Sequence, residues 1–131
     1  MEIKDLRVNG GRLQESLEEM AKIGGTPNGG VQRLTLSDED KRARDLFVEW
    51  LKEMDLEIWV DEMGNIFGKR EGQHNDLAPV MSGSHVDSQP KGGRFDGILG
   101  VMGALEVLRT LHENKIETER PIVIVDWTNE E

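Results

Sequence analysis

The chain has 131 residues, with 16 Lys+Arg against 26 Asp+Glu and a formal net charge of −10, a length that fits one domain of roughly 100–200 residues. No apolar run approaches the roughly 18 residues of a membrane span. The N-terminus lacks the basic start and apolar core of a signal peptide, and so acidic a chain is a poor ligand for nucleic-acid phosphates. Cysteine is absent, which excludes disulfides and thiolate metal sites, and these features together point to a cytoplasmic protein with no nucleic-acid or membrane partner.

The first helix is expected over about Gly11 to Ile23, where Leu13, Leu17, Met20 and Ala21 follow helical spacing and Gly24-Gly25 ends the run. A loop at Thr26-Pro27-Asn28-Gly29-Gly30 follows. Ser37 then reads as an N-cap, with Asp40 three residues on as a short-armed capping box. Asp38, Glu39 and Asp40 suit the positive end of a helix dipole. Ala43, Leu46, Phe47, Trp50, Leu51 and Met54 form the buried stripe of that second helix.

Leu56 to Asp61 and Ile66 to Lys69 read as two antiparallel strands joined at Met63-Gly64-Asn65. Leu77 to Met81 reads as a short strand, Ser82 to Asp96 as a long Gly-rich loop and Gly97 to Glu113 as a mostly apolar helix. Pro121 to Trp127 is nearly continuous β-branched sequence, as in the middle of a parallel sheet. The last three elements form a βαβ unit and make the chain α/β.

Ligands of open α/β sheets collect beyond the carboxyl ends of the strands. Those ends here carry Ser84-His85-Val86-Asp87 and Asn129-Glu130-Glu131, and Asp96 precedes the crossover helix. Imidazole and carboxylates converging on one crevice suit Zn, Mn or a similar divalent ion. Without a cation the ionised carboxylates would repel one another. Asp87 is placed to orient His85. Glu130 and Glu131, adjacent in extended chain, are expected to point to opposite sides, one as ligand and one as general base. No Gly-Lys-Ser/Thr follows the Gly-rich stretch, so it is not a P-loop. His74 and His112 have no such company and read as bystanders.

Gly83-Ser84-His85-Val86-Asp87-Ser88-Gln89-Pro90, Gly92-Gly93-Arg94-Phe95-Asp96-Gly97 and Trp127-Thr128-Asn129-Glu130-Glu131 resemble the N-carbamoyl-L-amino acid hydrolase and allantoate amidohydrolase branch of the aminoacylase-like M20 metallopeptidase family. Gly25-Thr26-Pro27, Gly29-Gly30-Val31 and Met63-Gly64-Asn65-Ile66-Phe67 fit the same pattern, so the likeness spans nearly the whole chain. The resemblance implies part of a zinc-peptidase-like, three-layer catalytic domain with a mixed, mostly parallel sheet. It implies two divalent metal ions (Zn, Mn, Co or Ni), with His85 and Glu131 as metal ligands, Asp96 bridging, Glu130 as general base and Asp87 orienting His85. It implies a small N-carbamoyl or ureido substrate and a homodimeric parent. A cis peptide is expected at Asp96–Gly97.

The activity so implied is hydrolysis of the carbamoyl amide of N-carbamoyl-L-amino acids. The alternatives are an allantoate or β-ureidopropionate amidohydrolase, or a non-catalytic fragment. Family chains are roughly three times longer than one domain of this size. The sequence therefore reads as the N-terminal part of a catalytic domain, inactive alone, and the resemblance implies further His ligands, a carboxylate clamp and an inserted dimerisation domain downstream.

Overall fold

The computed structural model describes residues 2–131. Three helices, α1 (Gly10–Lys22), α2 (Asp38–Lys52) and α3 (Ile98–Glu113), accompany four strands, β1 (Glu57–Val60), β2 (Ile66–Arg70), β3 (Val80–Ser84) and β4 (Ile122–Asp126). The strands form one sheet in the order β1-β2-β4-β3. β1 and β2 pair antiparallel, as do β2 and β4, while β3 and β4 are parallel. The sheet is mixed, as expected, but mostly antiparallel. The β-branched run of β4 is indeed central, yet only one of its two neighbours is parallel. Burial on both faces explains such a run in either orientation, so composition could not separate the two cases.

Side-chain caps set the starts of α1 and α2. Asn9 accepts from the Arg12 N–H at 3.0 Å, and Ser37 Oγ accepts from the Asp40 N–H at 3.1 Å. Asp40 Oδ2 reaches back to the Leu36 N–H at 3.2 Å, one residue beyond a capping box's usual partner. Leu17 and Met20 of α1, Ala43, Phe47 and Leu51 of α2, and Val101, Leu105 and Leu108 of α3 share one core with Ile66 and Ile124 of the sheet. Each large side chain so buried contributes about 1.5–3 kcal/mol. The expected stripe of α2 is thus its buried face.

Gly68 in β2 has no room for a side chain, because a Cβ would lie 2.9 Å from a Leu51 methyl. The opposite sheet face carries Trp59 stacked on Phe67 at 5.1 Å, and Phe67 edge-on to Trp127 at 5.8 Å. Trp59, Met81 and Trp127 there are each 40% or more exposed. Among the described residues the helices cover one face, so the architecture is two layers where three were expected.

β3 begins and ends three residues later than the expected strand. Leu77 and Ala78 lie in the loop, while Ser82, Gly83 and Ser84 pair with Ile124, Val125 and Asp126. Small residues there admit the neighbouring backbone and α3: a Cβ on Gly100 would lie 2.7 Å from Ser84 Cβ. The apolar signal therefore stops before the strand does.

Candidate metal centre

The parallel register of β3 and β4 brings their carboxyl ends side by side. His85 and Asp87 follow β3, and Glu130 and Glu131 follow β4. Hydrogen bonds to neighbouring segments hold the β4 extension in place. Trp127 N–H donates to Ser84 O at 2.8 Å, Thr128 N–H to Asn65 Oδ1 at 2.8 Å, and Arg44 Nη1 to Thr128 Oγ1 at 2.8 Å. The Met63-Gly64-Asn65 turn thus supports the site as well as joining two strands.

His85 is buried, and its Nε2 faces Glu130 Oε2 at 3.1 Å, Asp96 Oδ1 at 3.9 Å and Glu131 Oε1 at 4.0 Å. Ligand atoms of His85, Asp96 and Glu131 lie within 4.8 Å of one another. Both glutamates reach the same imidazole, instead of pointing to opposite sides. The strand has ended at Asp126, and Asn129 at φ +55° turns the chain, so the alternation of an extended backbone does not apply.

Nδ1 of His85 lies 2.9 Å from the backbone carbonyl of Asp87 and 3.3 Å from its carboxylate. Both partners can only accept, so Nδ1 donates to them, and Nε2 is the ring nitrogen on the side of the three carboxylates. Asp87 thus lies against the Nδ1 edge of the ring, with its carbonyl as the nearer partner. Its carboxylate meanwhile accepts from the Glu130 and Glu131 N–H groups at 3.4 and 3.3 Å, tying the two strand extensions together.

Gly97 gives the imidazole its space. A Cβ there would fall 2.6 Å from Nδ1 and closer still to Cε1 and Nε2. The Asp96–Gly97 peptide is trans, so the expected cis bond is absent. The chain turns instead at Gly97 itself, with φ +73° and ψ −53°, and the Ile98 N–H donates to Asp96 O at 2.8 Å. This is a γ-turn of the positive-φ kind, rare and strained for residues with a side chain.

Behind the loop lies a group of buried charges that the sequence reading did not single out. Arg33 is fully buried and bonds only carbonyls: Nε to Val86 O at 2.9 Å, and Nη1 to Met20 O and Ile23 O at 2.8 and 3.0 Å. Burial lowers its pKa against the opposing charges of Asp40, Asp126 and Asp87. Burial pushes the Asp126 carboxyl up to about 7, against the Val86 N–H bond and Arg44. Asp126 Oδ1 accepts from Val86 N–H at 3.0 Å, whereas Oδ2 has no hydrogen-bond partner and lies 3.7 Å from Arg44 Nη1. Asp126 shares the core-facing parity of Ile122 and Ile124, and an acid at such a position was the available signal.

Three carboxylates round one imidazole fit a divalent cation by donor chemistry. Among the described residues no Lys or Arg lies within ion-pair distance of Asp96, Glu130 or Glu131. Lys91 and Arg94, the nearest cations in sequence, do not neutralise them, and Arg94 lies over the Phe95 ring. His74 and His112 lie outside this cluster.

A mixed α/β sheet with an imidazole and acids at adjoining strand ends defines the class: part of a peptidase-like hydrolase domain. The model of peptidase family M28 matches residues 65–131, although the motifs resembled the M20 family. An N-carbamoyl-L-amino-acid amidohydrolase of Rhizobium meliloti is 51% identical over 95% of this chain and 30% of its own. A hydantoinase/carbamoylase family amidase from Burkholderia ambifaria is 52% identical, with TM-score 0.94 over 96% of this chain and 31% of that one. The structure of AtUAH in complex with glyoxylate is 33% identical, with TM-score 0.91 over 98% and 30%. The chain belongs to peptidase family M28, and within it is similar to N-carbamoyl-L-amino-acid amidohydrolases and to hydantoinase/carbamoylase family amidases. It spans about 30% of the length of the relatives it matches. No helix among the described residues is long and apolar enough to cross a membrane.

Proposed function

We propose that this chain supplies the His85–Asp96–Glu131 part of a two-metal site that hydrolyses the carbamoyl amide of N-carbamoyl-L-amino acids to amino acid, carbon dioxide and ammonia. The observation that carries this reading is the convergence of Asp96, Glu130 and Glu131 on the Nε2 of one buried histidine. His85 and Glu131 would each hold a metal, and Asp96 would serve both. The divalent ions, Zn, Mn, Co or Ni, would polarise the scissile carbonyl and acidify water. Glu130, 54% exposed against 16% for Glu131, is the more accessible carboxylate and the one suited to move protons. It would take a proton from the attacking water and pass it to the departing amine, a role worth about 10²–10⁴-fold in rate.

A ureide amidohydrolase is the second reading, supported by the likeness to AtUAH, which is described in complex with glyoxylate. A cytoplasmic location and a homodimeric whole protein go with the family reading as proposals.

The test is a chimera in which residues 2–131 replace the equivalent segment of the Rhizobium relative. Ammonia release is followed with N-carbamoyl-L-methionine, allantoate and a dipeptide as substrates. The carbamoyl substrate is expected to turn over fastest, and Glu130→Gln is expected to lower kcat by about 10²–10⁴-fold. A folded chimera whose Glu130→Gln form keeps full kcat refutes the assignment.

A further inference from the structure

We propose that Arg33 and Asp126 are positioning residues for His85: they clamp the two peptide units that flank Val86 and so fix where the imidazole Nε2 points. The inference rests on the metal-site reading of His85 and concerns residues that the reading itself does not use.

Val86 lies between His85 and Asp87 and is almost wholly buried. Its N–H donates to Asp126 Oδ1 at 3.0 Å, and its carbonyl accepts from Arg33 Nε at 2.9 Å. Water has no access to replace either bond, because Arg33 and Asp126 are at most 1% exposed. The Val86 N–H belongs to the His85–Val86 peptide and its C=O to the Val86–Asp87 peptide, so the two bonds fix the planes on both sides of Val86, and His85 and Asp87 inherit their orientation.

Each jaw is anchored in a rigid element. Asp126 is the last residue of β4, the strand that continues to Glu130 and Glu131. Arg33 Nη1 spans the carbonyls of Met20 and Ile23 at the end of α1, so the same guanidinium that grips Val86 is fixed to that helix. The planar fork makes this double grip possible, and a single ammonium cannot reproduce it.

The Arg33 main chain adds two further stitches. Its N–H donates to Ser88 Oγ at 2.8 Å, and its carbonyl accepts from the Ser88 N–H at 2.8 Å. The loop from His85 to Ser88 is therefore referenced to α1 on one side and to β4 on the other. His85 and the two glutamates then keep one geometry, because β4 carries both the clamp and the glutamates.

The 131-residue chain is compared with Asp126→Asn, Asp126→Ala, Arg33→Lys and Arg33→Met. Two quantities are read: amide hydrogen exchange at Val86, with Leu105 as the core reference, and zinc affinity by calorimetry. Asp126→Ala is expected to lose Val86 protection while Leu105 keeps its own. Asp126→Ala and Arg33→Met are expected to weaken zinc binding about 10–100-fold, the usual range for groups that orient a ligand. Asp126→Asn keeps the Oδ1 acceptor and is expected to restore both quantities.

Unchanged zinc affinity in Asp126→Ala and Arg33→Met overturns the proposal, as does an Asn variant as impaired as the Ala variant. If the Ala and Met variants lose Leu105 protection, Arg33→Lys decides: weakened zinc binding in a folded chain supports the clamp, and wild-type affinity overturns it. If the wild-type chain binds no zinc, the ligands it supplies are too few to hold the ion alone. The clamp is then judged by Val86 exchange alone, which Asp126→Ala must accelerate and Asp126→Asn must restore.

Discussion

Replacing Gly97 with alanine probes the closest approach in the site. A Cβ would stand 2.6 Å from His85 Nδ1, and nearer to Cε1 and Nε2, where ordinary contact begins at 3.4 Å. The ring must retreat by about 0.8 Å or more, whereas a metal–ligand distance tolerates only about ±0.2 Å. The γ-turn at Gly97 adds a backbone cost of about 1–3 kcal/mol for a residue with a side chain. Two separable effects are expected. Urea unfolding should show a loss of about 1–3 kcal/mol from backbone strain. Calorimetric titration should show zinc affinity falling by at least about tenfold from displacement of His85. Wild-type zinc affinity in a folded Gly97→Ala chain would refute the packing argument, whatever the variant's stability.

Two further outcomes follow from buried charges and a third from the apolar core. Asp126, held at about 7 against an ordinary 3.8, keeps a proton in the folded chain that the unfolded chain releases between those values. Its contribution is therefore full below the unfolded value and lost as pH rises towards 7, by up to about 1.4 kcal/mol per pH unit. Asp126→Asn should remove that slope when urea stabilities at about pH 5 and about pH 7 are compared with wild type, and an unchanged difference would contradict it. Burial raises the Glu106 carboxyl, but hydrogen bonds from Arg12 and Asn9 outweigh it and hold it below the usual range. Arg12→Met strands that buried carboxylate and should destabilise by about 3 kcal/mol, most of it recovered in an Arg12→Met/Glu106→Met double variant. A loss under about 1 kcal/mol would mean that the pair behaves as a surface salt bridge. Phe47→Ala should remove about 3–5 kcal/mol by opening a cavity in the shared core, and a melt close to wild type would place Phe47 outside it.

Local chemistry was legible in the sequence, and long-range chemistry much less so. Ser37, the α2 stripe and the hairpin turn at Gly64 follow from spacing within a few residues, and each appears where the sequence places it. His85, Asp96, Glu130 and Glu131 were legible as a group because His85 and the two glutamates follow strand ends and Asp96 precedes the crossover helix of the same βαβ unit. The sheet's orientation was not, because β4's apolar run reads the same beside a parallel or an antiparallel neighbour. The start of β3 was misplaced because Ser82-Gly83-Ser84 are chosen for close packing against β4 and α3, not for hydrophobicity. Arg33 carried no signal at all. Its partners Met20, Val86 and Ser88 lie 13, 53 and 55 residues away, and a lone arginine between Gln32 and Leu34 resembles any surface residue. The turn expected from a cis peptide bond is made instead at the positive φ of Gly97, which glycine adopts without strain.

The most direct test of the metal centre is a calorimetric zinc titration of the chain beside His85→Ala, Asp96→Ala and Glu130→Gln. Saturable binding is expected for wild type and for Glu130→Gln, and its loss is expected in His85→Ala and Asp96→Ala. Binding that survives in both of the last two, or that Glu130→Gln alone abolishes, would contradict the assignment of His85 and Asp96 as ligands and Glu130 as the proton carrier.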